Sequence, residues 1–193
     1  LSELSAFSDM GLGSGIKSNL DNEIEILKSR TLVERTVKKL KLNVSLVEKG
    51  NVINTERYQD SPIEVRFIHT KSVFYTDGMQ LEFVYLTPDT FQLTYGSKAE
   101  ASTLLNGKKE FRYGAIISTR NGDLIIAKSL DKNNKFLGKA KTINISVSPL
   151  DAVVASYLGR LKVDPLSKTS SIVEISIVDP LTKRAENFLD NLG

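Results

Sequence analysis

The chain has 193 residues, a formal net charge of +3, and neither cysteine nor tryptophan. A chain of this length forms one domain or two small ones, and it can bury a sizeable core without disulfide or metal staples. The missing cysteine excludes a disulfide framework, a thiol nucleophile and a thiolate metal site. The weak positive charge does not predict a nucleic-acid partner, and no apolar run approaches the ~18 residues that cross a bilayer.

Residues 1–20 are rich in serine and glycine, and they predict an irregular lead-in. The central Gly11–Gly15 stretch lacks the spacing of a phosphate-binding loop, in which a Lys-Ser or Lys-Thr pair directly follows the last glycine, so it does not predict a nucleotide site. The sequence begins without Met, and we expect the chain to be a piece of a longer protein.

Residues 21–41 carry an apolar stripe with helical spacing. Two capping-box candidates, Asn22–Glu25 and Thr31–Glu34, lie within this segment. They predict two helices that meet near Ser29–Arg30, or one helix that is kinked there. The stripe consists of Ile24, Leu27, Val33, Val37 and Leu40.

Alternating apolar residues predict a strand at 42–47, and a polar loop covers 50–61. From 63 to 147 the pattern is that of antiparallel strands separated by turns. Asn106-Gly107 and Asn121-Gly122 are the pairs preferred in type I′ turns. The predicted hairpins are Ser102–Leu105 with Lys108–Phe111, and Ile116–Thr119 with Asp123–Ala127.

The last third alternates between helix and strand. Ser148-Pro149 predicts a helix start with serine as the cap and proline in the first turn. A strand follows at 173–178, and Asp179-Pro180 predicts the start of a final helix. The apolar stripe of that helix is Leu181, Ala185, Phe188, Leu189 and Leu192.

These elements predict an α+β fold. The two ends of the chain, 21–62 and 143–193, are expected to share one mixed sheet with helices packed on it. Residues 63–142 are then an inserted antiparallel β subdomain, and residues 1–20 are the irregular lead-in.

Candidate catalytic residues are few. His69 is the single histidine, and neighbours that would complete a triad or a metal site cannot be placed beside it from the sequence. A surface or structural histidine is the expected role. No catalytic, cofactor-binding or metal-binding residue is predicted.

The helix run from Asp21 onward carries charges of both signs. Glu23 and Glu25 point to different sides of a helix, so they cannot share one substrate proton. One interpretation is a solvated helix face. The other is a contact between subunits made by Glu23, Glu25, Ser29 and Arg30, because charges of both signs suit head-to-tail rings.

Nine aromatic residues lie in the β region. Aromatic residues at alternating strand positions usually belong to the core, although exposed ones could stack on sugar rings. The nine are Phe67, Phe74, Tyr75, Phe83, Tyr85, Phe91, Tyr95, Phe111 and Tyr113.

The sequence resembles the periplasmic domain of the Wzz/Wzc-type polysaccharide co-polymerases, which are chain-length determinants of bacterial capsule, exopolysaccharide and O-antigen synthesis. The longer β region resembles the type linked to a tyrosine kinase. The resemblance rests on Phe7–Asp9, Glu23–Arg30, Val33–Val44, Tyr58–Ile63, Asn144–Leu158, Leu161–Val163, Ser170–Ser176 and Asp179–Asp190.

The resemblance implies a domain on the periplasmic face of the inner membrane, in a parent anchored by a helix on each side. The parent would form a ring and work with a polysaccharide polymerase and an outer-membrane export pore. Any kinase domain would lie outside this chain. The expected function is therefore non-catalytic assembly that regulates chain length and export. The alternative is a periplasmic glycan-binding module that contacts the growing polysaccharide.

Overall fold

The computed structural model describes residues 12–96, 105, 107–129, 142–167 and 172–193, with side chains from residue 19 onward. The helices are α1 (Leu12–Leu27), α2 (Arg30–Leu40), α3 (Val73–Thr76), α4 (Leu150–Arg160) and α5 (Thr182–Asp190). The strands are β1 (Val44–Glu48), β2 (Thr55–Arg57), β3 (Ile63–Ile68), β4 (Met79–Tyr85), β5 (Thr90–Tyr95), β6 (Glu110–Arg112), β7 (Ile116–Thr119), β8 (Gly122–Lys128), β9 (Thr142–Val147), β10 (Leu161–Pro165) and β11 (Val173–Ile177). The predicted α+β class is confirmed.

The chain divides into two compact units. Unit 1 contains Leu1–Leu40 and Val154–Gly193, and unit 2 contains Lys41–Val153. The sequence places an insertion at 63–142, whereas the division in the structure starts at residue 41 and ends at residue 153. The difference arises because β1 and β9 pair with each other and β9 also pairs with β4, which joins these three strands in one sheet.

Unit 2 contains two antiparallel sheets. The larger has the strand order β2-β1-β9-β4-β5-β6, and the smaller has the order β3-β8-β7. All strand pairings among the described residues are antiparallel, so the expected mixed sheet is replaced by antiparallel sheets. Strands from the two ends of the chain do share a sheet, as predicted, because β1 pairs with β9. Strands β10 and β11 were also expected there but pair only with each other, and β4, β5 and β6 of the expected insertion join the sheet instead.

The core of unit 2 confirms the prediction that its aromatic residues are structural. Phe83 and Phe91 are almost fully buried, and their ring centroids lie 5.1 Å apart. Phe74 is buried as well, and the other six aromatic residues predicted for the core are partly buried against the same cluster. The offset rings add packing energy to the apolar area that they bury.

The turn between β7 and β8 differs from its prediction. Thr119 pairs with Gly122, so the central turn residues are Arg120 and Asn121 rather than Asn121 and Gly122. Gly122 has a φ of 136° and belongs to the strand. A Cβ atom there would lie 2.9 Å from the Cα of Thr70, so the close approach of another backbone segment requires glycine.

Two helices meet near Ser29–Arg30, as one of the two sequence interpretations predicts. The helix boundaries differ from the prediction, however. The first helix begins at Leu12, so residues 12–20 of the expected irregular lead-in are helical. Asn22 lies inside this helix and caps nothing, because the apolar spacing extends further toward the N-terminus than the glycine content suggests.

In unit 1, helices pack on each other through aromatic and aliphatic side chains. Tyr157 and Phe188 stack with ring centroids 4.5 Å apart, and Val33 and Val37 are fully buried. The Thr36 hydroxyl is also buried, and it donates to the carbonyl of Leu32 or Asn191 at 3.0 and 3.1 Å. The buried stripe of α2 thus confirms part of the predicted apolar face.

A buried carboxylate joins three elements of unit 1. The Asp179 side chain is fully buried and lies 3.1 Å from Arg160 and 2.8 Å from Arg184. It also accepts the backbone N–H of Leu181 at 2.9 Å, just before α5 begins at Thr182. Burial alone would raise the pKa of Asp179, but the hydrogen bonds from Arg184, Leu181 and Arg160 lower it below its ordinary value.

Some sequence predictions lie outside the described residues. These are the lead-in at 1–11, which includes the Phe7–Asp9 segment, and residues 102–104 and 106 of the predicted hairpin at Ser102–Phe111. In that hairpin the structure describes a bridge between Leu105 and Lys108, with Gly107 at a φ of 75°.

We predict that Gly122→Ala destabilises the protein by at least about 2 kcal/mol, because it adds a steric clash to an unfavourable positive φ. Gly114→Ala is the matched control: its φ is 81°, but its Cβ would meet nothing within 4 Å. The control should cost only about 1 kcal/mol. Urea denaturation compares the two variants, and equal losses would contradict the role assigned to the close approach.

We predict that Asp179→Asn lowers the free energy of unfolding by about 3 kcal/mol at neutral pH, because it removes the buried negative charge that two half-buried arginines, Arg160 and Arg184, share. The pKa of Asp179 is lowered in the folded state, so its stabilisation is complete above about pH 4 and is lost as the pH falls further. The loss caused by the variant should therefore shrink in acid. Chemical denaturation at several pH values measures it, with exposed Glu174→Gln as the control.

Candidate functional site

The four predicted contact residues lie where α1 ends and α2 begins. Glu23 and Glu25 are exposed on α1, and Arg30 is exposed at the start of α2. Ser29 is half-buried, and its hydroxyl accepts the backbone N–H of Leu32 at 3.3 Å. Ser29 therefore caps α2, the role that the sequence assigned to Thr31.

The surface beside these residues contains an exposed aliphatic side chain. Ile26 is 61% exposed, and it lies one helical turn from Glu23 and next to Glu25. Asp21 and Glu25 lie on one side of α1, and Glu23 lies on the other side, closer to Ile26. We call these four residues the α1 acidic surface. Its acidic side chains are all exposed.

The next helix presents the opposite charge. Arg35, Lys38 and Lys39 are exposed on α2, and we call them the α2 basic face. Lys38 donates to Glu34 at 2.7 Å. This hydrogen bond and the charge of Lys38 lower the pKa of Glu34, with a smaller contribution from the charge of Arg30. The structure thus places acidic and basic surfaces on consecutive helices.

His69 has the surface position that the sequence predicts. Its side chain is 78% exposed, and its Nδ1 lies 3.4 Å from Asp123. The Ser118 hydroxyl donates to the same carboxylate at 2.8 Å. The carboxylate lies between the serine and the histidine, so this geometry does not let His69 take the proton of Ser118.

Sequence reasoning missed a groove in unit 2. The β4–β5 turn, the end of β6 with the turn after it, and the end of β8 surround a space of about 880 Å³. Its lining is polar and charged. The residues are Thr87, Asp89, Thr90, Glu110, Arg112, Tyr113, Gly114, Ala127 and Lys128.

Backbone hydrogen bonds hold the walls of this groove together. The N–H of Tyr113 donates to the carbonyl of Asp89 at 3.3 Å, and that of Gly114 donates to Ile126 at 2.9 Å. Three segments that are distant in sequence therefore meet at one place. No local motif marks them, which is why the sequence alone did not reveal the groove.

Tyr113 lies in the wall with its hydroxyl buried. Among the described residues, no partner lies within hydrogen-bond distance of that hydroxyl. Burial, with a smaller contribution from Tyr85, raises the pKa of Tyr113 to about 12. The Nζ atom of Lys128 lies 5.2 Å from the centre of the Tyr113 ring, so the ring face holds a cation.

Two further findings concern the described part of the chain. It contains no cluster of three or more histidine or carboxylate side chains arranged to hold a metal ion. None of its helices is both long enough and apolar enough to span a membrane. Comparisons with protein-family models and with curated proteins gave no match.

We predict that Tyr113→Phe changes the free energy of unfolding at pH 7 by less than about 0.5 kcal/mol, because the hydroxyl it removes makes no hydrogen bond. Wild-type stability should fall as the pH rises above about 10, since the unfolded tyrosine ionises before the folded one. The variant should lose this part of the decline. Urea denaturation measures both effects, and a large loss at pH 7 would show that the hydroxyl has a partner.

Proposed function

We propose that the chain is a periplasmic, non-catalytic assembly domain of an inner-membrane polysaccharide co-polymerase, which regulates capsular or exopolysaccharide chain length and export by forming a ring. The sequence resemblance suggests this class of protein. The observation that carries the proposal is that exposed acidic side chains on α1 are followed by exposed basic side chains on α2.

The charges favour a head-to-tail contact. Acidic residues 21, 23 and 25 are exposed on one helix and basic residues 35, 38 and 39 on the next, so acidic side chains of one copy can contact the α2 basic face of its neighbour. When a contact joins two different surfaces, each copy can bind the next one. The row of copies closes into a ring when the rotation between neighbouring copies permits it. Arg30 lies at the junction of the two helices and adds a further exposed positive charge.

The energetics predict weak association for the free chain. Exposed ion pairs contribute about 0–1 kcal/mol each. Burying the exposed Ile26 side chain adds at most about 1.5–3 kcal/mol. These gains do not overcome the entropy cost of association at low concentration, whereas attachment to a membrane raises the effective concentration of neighbours. A ring therefore requires the anchored parent.

Cysteine cross-linking tests the contact without background, because the chain contains no cysteine. Two differently tagged chains, one carrying Glu25→Cys and the other Arg35→Cys, are tethered to vesicles through a terminal histidine tag and oxidised. We predict disulfide-linked pairs between the two tags in excess over pairs within one tag. Glu174→Cys, exposed on β11, is the matched control and should cross-link little.

Charge reversal is the second arm of the same experiment. Glu23→Arg should lower the yield of mixed pairs several-fold, because it places like charges opposite each other. Adding Arg30→Glu should recover part of the yield. If neither change alters the yield, or if same-tag pairs dominate, the head-to-tail contact is contradicted. Flanking sequence without an apolar span of about 20 residues on each side would contradict the parent class itself.

A further inference from the structure

One wall of the groove in unit 2 is the β4–β5 turn, which is held together by its own hydrogen bonds. The hydroxyl of Thr87 accepts the backbone N–H groups of Asp89 and Thr90 at 3.2 and 3.0 Å. It also lies 2.9 Å from the Thr90 hydroxyl. These bonds fix the β4–β5 turn, so the carboxylate of Asp89 projects from a turn of defined shape.

A cation is held on the opposite wall. The Nζ atom of Lys128 lies 3.7 Å from the Asp89 carboxylate and above the ring of Tyr113. Its side chain is 38% exposed and that of Asp89 is 88% exposed, so both groups remain open to a ligand.

The charges of the lining define the ligand class. Asp89 and Glu110 accept hydrogen bonds, Arg112 and Lys128 donate them, and the four charges sum to zero. A balanced set favours a neutral ligand over a strong anion or cation. Hydroxyl groups suit it best, because each one can donate to a carboxylate and accept from a cation at the same time.

We infer that this groove binds a neutral, hydroxyl-rich ligand of the size of one or two sugar rings. Its volume of about 880 Å³ lies in the range of pockets that hold small molecules. Exposed charged groups bind such ligands weakly, so the expected Kd is about millimolar. The inference does not depend on the ring proposed above, since the groove lies within unit 2 alone.

The test is a titration of isotope-labelled protein, followed by two-dimensional NMR. The probes are the methyl glycosides of glucose, galactose, mannose and N-acetylglucosamine, glucuronic acid, and inorganic phosphate. At least one neutral glycoside should shift the backbone signals of Asp89, Arg112 and Lys128 with saturation. No shift with any glycoside up to about 50 mM would overturn the inference.

Substitutions locate the site. Lys128→Met keeps the apolar stem over Tyr113 but removes the donor, and Asp89→Asn removes the charge that faces it. Each should weaken glycoside binding about five- to ten-fold. Arg66→Gln is the matched control: Arg66 is an exposed arginine on β3, it pairs with Glu64 and it does not line the groove. The control should leave binding unchanged.

Urea denaturation of each variant separates binding from folding. A variant that is as stable as the wild type and still binds weakly has lost a contact with the ligand. Equal weakening by the Arg66 control would overturn the site, because the effect would then be non-specific. Saturable shifts with phosphate or glucuronic acid but with no neutral glycoside would also overturn it, since they would indicate an anion site.

Discussion

Strand β9 is the constraint on which unit 2 depends, because it pairs with β1 on one side and β4 on the other. Ile145 lies opposite both Leu46 and Leu81, so one residue fixes the register of three strands. The inward residues of β9 are almost fully buried, while Asn144 and Ser146 alternate with them. A shift of one residue would bring those polar side chains into the core, so the sheet has a single favourable register.

The groove follows from this arrangement. The fixed register of β4 determines where the β4–β5 turn projects, and the pairing of β3, β8 and β7 determines where β8 ends. Lys128 and Asp89 therefore meet as a consequence of the two sheets and not of a local motif. By contrast, the proposed contact surface of unit 1 needs only the local geometry of two helices. The two candidate sites differ in this respect, and they can be tested separately.

Patterns of apolar residues within short stretches of the sequence predicted many of the helices and strands. Period-two alternation identified β4, β5, β9 and β11, and helical spacing identified α2, α4 and α5.

The predictions were wrong where contacts between distant segments of the chain determine the structure. The glycine of β8 serves a close approach to Thr70 rather than a turn, and no sequence pattern reports that approach. Strands β1 and β9, from the two ends of the chain, share a sheet as predicted, but β4, β5 and β6 of the expected insertion join it, and β10 and β11 form a separate pair. The exposed charges of α1 were predictable, whereas the groove was not, because its walls come from three distant segments.

The chain enters and leaves unit 2 at neighbouring backbone positions. Val44 pairs with Val147, and one step further the N–H of Ser148 donates to the carbonyl of Asn43 at 2.8 Å. With respect to unit 1, residues 44–147 behave as one long loop, because the pairing of β1 with β9 holds the two ends of that loop together. The entropy of closing a loop grows only by about 0.6 kcal/mol for each doubling of its length. The interior of unit 2 can therefore be lengthened, shortened or exchanged at little cost to unit 1, provided that the β1–β9 pairing is kept.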